Sequence, residues 1–308
     1  MQTIAQAFET FLPRLELTTA ERDNASNQHI YLREQLQQKM AVQDNFLSGS
    51  YARHTAVRPL NDIDVFLVLK PTGTLSSATP PDQVLTEVKR VLETIYSGKT
   101  ARTQARSVNI EFSGTGIAYD VVPAFSSDDD TYTIPDAEAS RWIRTNPRIH
   151  AAMSTEANER AGKKLKPLLK AVKQANQRRA NPARSFHLEV LAWEVLDYDP
   201  GSYIDGLVTL LEGIAARVQR PCPDPARLGG DIRPSSPRCQ EAASWFGEMA
   251  VLAREARKLA VDGRTGEAHA RLREVLGEAW PEKGSVGARA AAVGVMGGSV
   301  DDPGSRFG

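Results

Sequence analysis

Residues 47–69 read LSGSYARHTAVRPLNDIDVFLVL. The second half, Ile63 to Leu69, is dense in Val, Ile, Leu and Phe, the composition of a buried strand, and Asp62 and Asp64 interrupt its start. Alternate residues of a strand share a face, so the two carboxylates project side by side. Left unpaired they would repel each other and lose hydration. The strand supplies no Lys or Arg to relieve this. A divalent cation does so, since Mg²⁺ takes a few carboxylates together with substrate phosphates and water. Taken alone, the pair also suits a strand-edge turn after Pro59 and Asn61. Gly49-Ser50, a short way upstream, should open a turn into a short helix. Glycine lets the backbone approach a phosphate, and Ser50 offers its hydroxyl and N–H to phosphate oxygens at a helix N-terminus.

Further along, SVNIEF, the turn Ser113–Gly116 and IAYDVVPAF form a hairpin pattern. Asp120 stands there among Tyr119, Val121 and Val122. If the hairpin pairs beside the Asp62 strand, three carboxylates converge. Such a set can hold two metals about 4 Å apart for in-line phosphoryl displacement, with Asp120 as proton acceptor. Residues 1–47 read as helical, with a capping box at Thr18 and Glu21. Residues 82–96 resume helical spacing, Asp128 to Asp130 lie in a polar loop, and from about Ser154 only helices follow. Residues 281–308 are Gly-rich and read as a flexible tail. The order implies an α+β catalytic lobe over 1–150 that includes the N-terminal helices, a helical lobe over 151–280, and substrate between them.

The 308 residues carry 38 basic and 38 acidic side chains. That balance argues against a protein held mainly by duplex phosphates. Cys222 and Cys239 lack the paired Cys/His spacing of a zinc site and read as reduced thiols. No signal peptide and no apolar run long enough for a membrane span is visible, so a cytoplasmic protein is expected. His54 reads as a surface residue, His187 as a core histidine, and Trp193, Trp245 and Trp280 as core.

With these residues in place, a resemblance emerges. Gly-Ser, a spacer and Asp-x-Asp between apolar residues resemble the signature of polymerase β-like nucleotidyltransferases, and YDVVPAF looks like their third-carboxylate strand. Thr55, Arg58-Pro59, KPLLKAVKQ, RSFHLEVLAWEVL and LREVLGEAWP are similar to bacterial CD-NTases, relatives of cyclic GMP-AMP synthase and oligoadenylate synthase. The likeness spans roughly residues 28–281. It implies a polymerase β-like lobe with a mixed sheet plus a helical lobe. It also implies synthesis of a cyclic di- or trinucleotide from nucleoside triphosphates, with release of pyrophosphate, in anti-phage (CBASS) signalling.

By the same resemblance, Asp62, Asp64 and Asp120 would bind two Mg²⁺ or Mn²⁺ ions. Gly49, Ser50, Lys170 and Ser185 would touch the donor triphosphate. A cyclic-nucleotide effector would act downstream, and a ubiquitin-type ligase would act on the C-terminal Gly308. The chain lacks a Cys/His insertion like the zinc thumb of the animal enzyme, so direct activation by DNA is not implied. Transfer of a nucleotide to a protein, tRNA or small molecule is the enzymatic alternative. A silent nucleotide-binding sensor or scaffold fits less well with three intact carboxylates.

Overall fold

The computed structural model describes residues 2–281 apart from Gly73 and Asp128. Gly308 and the rest of the expected tail beyond Pro281 lie outside the described residues. The chain opens with α1 (Ile4–Phe11), a 3₁₀ turn (Leu12–Leu15) and α2 (Thr19–Lys39). Thr18 and Glu21 close the expected capping box at α2, each side chain accepting the other's backbone N–H at 3.1 and 2.7 Å. Then come β1 (Val42–Ser48), α3 (Gly49–Ala52), β2 (Asp62–Leu69), α4 (Pro81–Ile95), β3 (Arg102–Thr103), β4 (Val108–Phe112), β5 (Ile117–Ser126), β6 (Tyr132–Asp136) and β7 (Arg141–Thr145). Six helices follow: α5 (Pro147–Arg160), α6 (Leu165–Arg178), α7 (Ser185–Val195), α8 (Tyr203–Arg217), α9 (Ser236–Val261) and α10 (Thr265–Leu276).

The strands form a mixed sheet in the order β1-β2-β5-β4-β3, with β6 and β7 continuing from β5. β2 and β5 run parallel, and the other pairs are antiparallel. Period-2 alternation divides the residues of β2 between two faces. Ile63, Val65, Leu67 and Leu69 bury one face in a core shared with Val84, Leu85, Val88 and Leu92 of α4. Asp64, Phe66 and Val68 take the other face, where Phe66 and Val68 pack with Ala124 and Ile134 in a smaller cluster. The mixed α+β architecture expected from the sequence is present.

Two expectations fail locally. The helical reading of residues 1–47 breaks down over Val42–Ser48, an edge strand held by pairing with β2. The polar loop expected after Pro123 folds as the β6–β7 hairpin. Asp129 stays outside, bound to Arg144 and Thr131, whereas Asp136 is buried and paired with Arg106. The lobes also divide differently from a cut at residue 150. α1 buries Ile4, Phe8 and Phe11 in the core of α6–α10, not against the sheet. Trp280 receives it, with ring centroids 4.9 Å from Phe8 and 5.4 Å from Phe11. Its indole N–H donates to His269 Nδ1 at 3.1 Å, and His269 Nε2 donates to the Gln2 carbonyl at 3.0 Å. No helix among the described residues is long and apolar enough to cross a membrane.

Trp280 is fully buried, so we expect Trp280→Ala to lower unfolding free energy by about 3–5 kcal/mol. Urea denaturation should show this as a lower midpoint. An unchanged midpoint would mean that α1 is not anchored there.

Candidate active site

The parallel register of β2 and β5 sets Asp64 opposite Asp120 and Asp62 opposite Ala118. The hairpin thus lies beside the Asp62 strand, and the three carboxylates line one cleft of about 720 Å³ between the sheet and the helical lobe. Gly49 and Ser50 line the same cleft, in a one-turn helix that leaves β1 at Ser48, the register partner of Asp64. Gly49 has φ +63°, and a Cβ built there would lie 1.6 Å from Asp64 Oδ2. Only glycine both adopts that backbone and leaves room for the carboxylate.

The three carboxylates repel one another, Asp64 and Asp120 half-buried and Asp62 exposed. Burial, then the Asp62 and Asp120 carboxylates, push Asp64 up to about 6, with Arg53 opposing. Asp120 is also raised, first by burial and further by Asp62, although Asn109 Nδ2 donates to its Oδ1 at 2.9 Å. A cation would relieve this repulsion, and an oxygen-only donor set suits Mg²⁺ or Mn²⁺. Among the described residues, no three His, Cys, Asp or Glu side chains stand close enough to cage an ion by themselves. The remaining ligands of such an ion would be water and substrate phosphate, as is usual for Mg²⁺.

A second cluster closes the cleft at the junction of the lobes. Glu189 of α7 is completely buried. Its Oε2 accepts from Arg53 Nε at 2.7 Å, and its Oε1 from Arg53 Nη2 and Lys173 Nζ, each at 3.2 Å. Lys173 also donates to the Thr55 carbonyl at 2.9 Å. Burial alone would raise the Glu189 carboxyl, but the Arg53 and Lys173 charges and hydrogen bonds outweigh it and hold it below the ordinary range. Lys173 is the neighbour expected to replace Lys170 should that lysine not reach the triphosphate, whereas Arg53 and Glu189 carry no role in the sequence reading. A signal was present: Glu189 is a lone carboxylate in the apolar run FHLEVLAW, and the argument applied to Asp62 and Asp64 demands a cation for it too.

Ser185 is the exposed first residue of α7 and lines the cleft. Lys170 is not brought to the cleft wall. It is buried with its Nζ 2.6 Å from Glu16 Oε2, while Lys173, three residues on, lines the cleft. His187 is fully buried, with neither ring nitrogen bonded to protein, and burial pushes its pKa down to about 4. Cys222 and Cys239 are buried free thiols.

Removing Glu189 would leave two cations uncompensated in a buried place. We expect Glu189→Ala to cost about 3–5 kcal/mol at neutral pH. The pH dependence has a defined sign. A depressed carboxyl contributes stability that is present above its unfolded-state value and lost as pH falls through the lower folded-state value. The stability gap between wild type and variant should therefore narrow on acidification below the ordinary Glu range. Denaturation curves with a gap independent of pH would contradict the ionised network.

Residues 1–158 match the family model for the Second Messenger Oligonucleotide or Dinucleotide Synthetase domain, SMODS. A cyclic AMP-AMP-AMP synthase from Acinetobacter sp. (strain ATCC 27244 / 9458) is 30% identical, the match covering 92% of this chain and 88% of the relative. Among solved structures, E. coli MS115-1 CdnC with ATP matches with a TM-score of 0.76 at 16% identity, covering 91% of this chain and 100% of that one. Bradyrhizobium diazoefficiens CdnG in complex with GTP matches with a TM-score of 0.72 at 14% identity, covering 89% and 94%. The chain belongs to the SMODS family, the bacterial CD-NTases, and is a nucleotidyltransferase producing a cyclic oligonucleotide.

Proposed function

We propose that the enzyme converts ATP into a cyclic oligoadenylate, using Asp62, Asp64 and Asp120 as a Mg²⁺- or Mn²⁺-dependent centre. One observation carries the chemistry: three mutually repelling carboxylates face one cleft beside a Gly-Ser turn. The choice of adenine rests on the 30% identical relative, a cyclic AMP-AMP-AMP synthase. In each cycle a ribose hydroxyl oxygen of one nucleotide attacks the α-phosphorus of another. The new P–O bond forms as the bond to the β-phosphate oxygen breaks, and pyrophosphate leaves with that electron pair. Bound metal would lower the hydroxyl's pKa and offset charge on the departing pyrophosphate.

Asp62 and Asp64 would hold the cations. Asp120, oriented by Asn109, accepts the hydroxyl proton. Gly49 and Ser50 present backbone N–H groups and a hydroxyl to the triphosphate, and Ser185 approaches it from the helical lobe. Lys173, rather than Lys170, supplies the ammonium at the cleft wall. A cyclic-nucleotide-binding effector is the partner that would read the product.

Incubation with the four triphosphates and Mg²⁺, followed by mass spectrometry, tests the reading. We expect a macrocycle built from AMP units that is absent in EDTA and absent from Asp62→Ala/Asp64→Ala. The double variant should fold, since it loses two repelling carboxylates. Turnover by it would end the metal-centre assignment, and a product lacking AMP would end the adenine assignment.

The two lysines separate in kinetics. Lys173→Ala should raise KM for ATP about tenfold or more, whereas Lys170→Ala should change it less. The reverse order would mean that Lys170 leaves Glu16 for the triphosphate.

A further inference from the structure

The proposed chemistry leaves one polar pair in the cleft unused. His150, in the first turn of α5, lines the cleft, and its Nε2 lies 2.6 Å from Asp224 Oδ1. The two side chains are only 9% and 6% exposed. Asp224 is fixed by its own loop: Oδ1 accepts the Ala226 N–H at 3.3 Å, and Oδ2 accepts those of Leu228 and Gly229 at 3.3 and 2.9 Å. Burial pushes this carboxyl up, but the hydrogen bonds from His150 and Gly229, the charge of His150 when protonated and the Ala226 N–H outweigh it and hold it down at about 2. An ionised carboxylate only accepts, so Nε2 carries the proton between them.

That assignment defines the other ring nitrogen. Among the described residues Nδ1 has no hydrogen-bond partner, and it is not among the buried unpartnered atoms, so it keeps some solvent access. In the neutral ring it is an acceptor, oriented by the bond on the opposite side. The ring centroid lies 4.9 Å from that of Phe186, the half-buried residue after Ser185 on the same wall.

We infer that His150 contacts the substrate, its Nδ1 accepting a hydrogen bond from an N–H or O–H group of the bound nucleotide, with Asp224 as its positioning residue. This rests on the reading that the cleft binds ATP. Two groups of ATP have the required chemistry, the exocyclic amine of adenine and the ribose hydroxyls. Contact with the amine would disfavour guanine, which carries a carbonyl oxygen at the corresponding position. A purely structural pair would instead do no more than pin the 224–229 loop to α5.

Two variants separate these roles. His150→Phe keeps a ring against Phe186 and removes both nitrogens. Asp224→Asn keeps the shape, but its amide can donate to Nε2, which moves the ring proton to Nδ1 and turns the acceptor into a donor. Loss of activity through the wrong tautomer follows the same logic at a catalytic triad aspartate. The test is a set of dissociation constants, measured with Mg²⁺, for a non-hydrolysable ATP analogue, its purine riboside, 2′-deoxy and 3′-deoxy counterparts, and inorganic pyrophosphate.

We expect both variants to bind the ATP analogue about tenfold more weakly while binding pyrophosphate as wild type does. The analogue that lacks the contacted group should bind all three proteins alike: purine riboside if the amine is read, a deoxy form if a hydroxyl is. Unchanged ATP binding in both variants overturns the inference. So does an equal loss for every ligand including pyrophosphate, which marks a collapsed cleft. Wild-type protein that binds no nucleotide at all would overturn the ATP reading itself, and this inference with it.

Discussion

Glu189 is a negative charge with no access to water, and the arrangement of the two lobes answers to it. A carboxylate in that position is tolerable only with cations in contact. Arg53 arrives from the end of α3 and Lys173 from α6, while Lys173 holds the Thr55 carbonyl as well. Three separate segments are thereby drawn to one point. The turn carrying Gly49 and Ser50 lies just before Arg53, so the helical lobe sets the position of that turn at the cleft. The same guanidinium lies over the Phe186 ring, 4.9 Å from its centroid, and partly offsets the rise in the Asp64 pKa. The cleft carboxylates and the interlobe lock are therefore electrostatically coupled.

The sheet achieves a division of labour that follows from period-2 alternation. One face of β2 and β5 is apolar and packs on α4; the other carries Asp64, Asp120 and the residues that floor the cleft. A shift of one residue in register would exchange the faces and bury the carboxylates in the core. The alternation of Asp62 and Asp64 with the buried Ile63 and Val65 holds that register. Tyr119 adds a specific tie, its hydroxyl donating to the Ala25 carbonyl at 2.9 Å.

Much of this was legible from residue patterns. β2, the β4–β5 hairpin and the facing of Asp62 and Asp64 follow from local alternation, and the helices of the second lobe from their apolar spacing. What escaped depends on partners distant in the chain. VQDNFLS has too many polar residues to announce a strand, and becomes one because β2 offers it an edge. Lys170 and Lys173 are helical neighbours at i,i+3, and nothing local says which meets the cleft. Glu16 claims one and Glu189 the other. The dyad of His150 and Asp224 joins residues 74 positions apart, through a loop whose sequence carries no signal of its destination.

The burial of α1 against Trp280 bears on how the enzyme comes into being. α1, far upstream in the chain, packs on one of the last residues of the helical lobe, and Arg14 reaches the Ala279 carbonyl at 2.8 Å. Contacts of such sequence separation form late, since loop closure must be met before they contribute. The sheet can assemble while synthesis continues, because its strands all fall before residue 146. The helical lobe cannot close until its final turn has emerged. A chain interrupted before residue 280 has its three aspartates but lacks the seal on the lobe that presents Lys173, Ser185 and Glu189. The placement of Lys173 and Ser185 on the cleft wall thus depends on a lobe whose closing contact is Trp280.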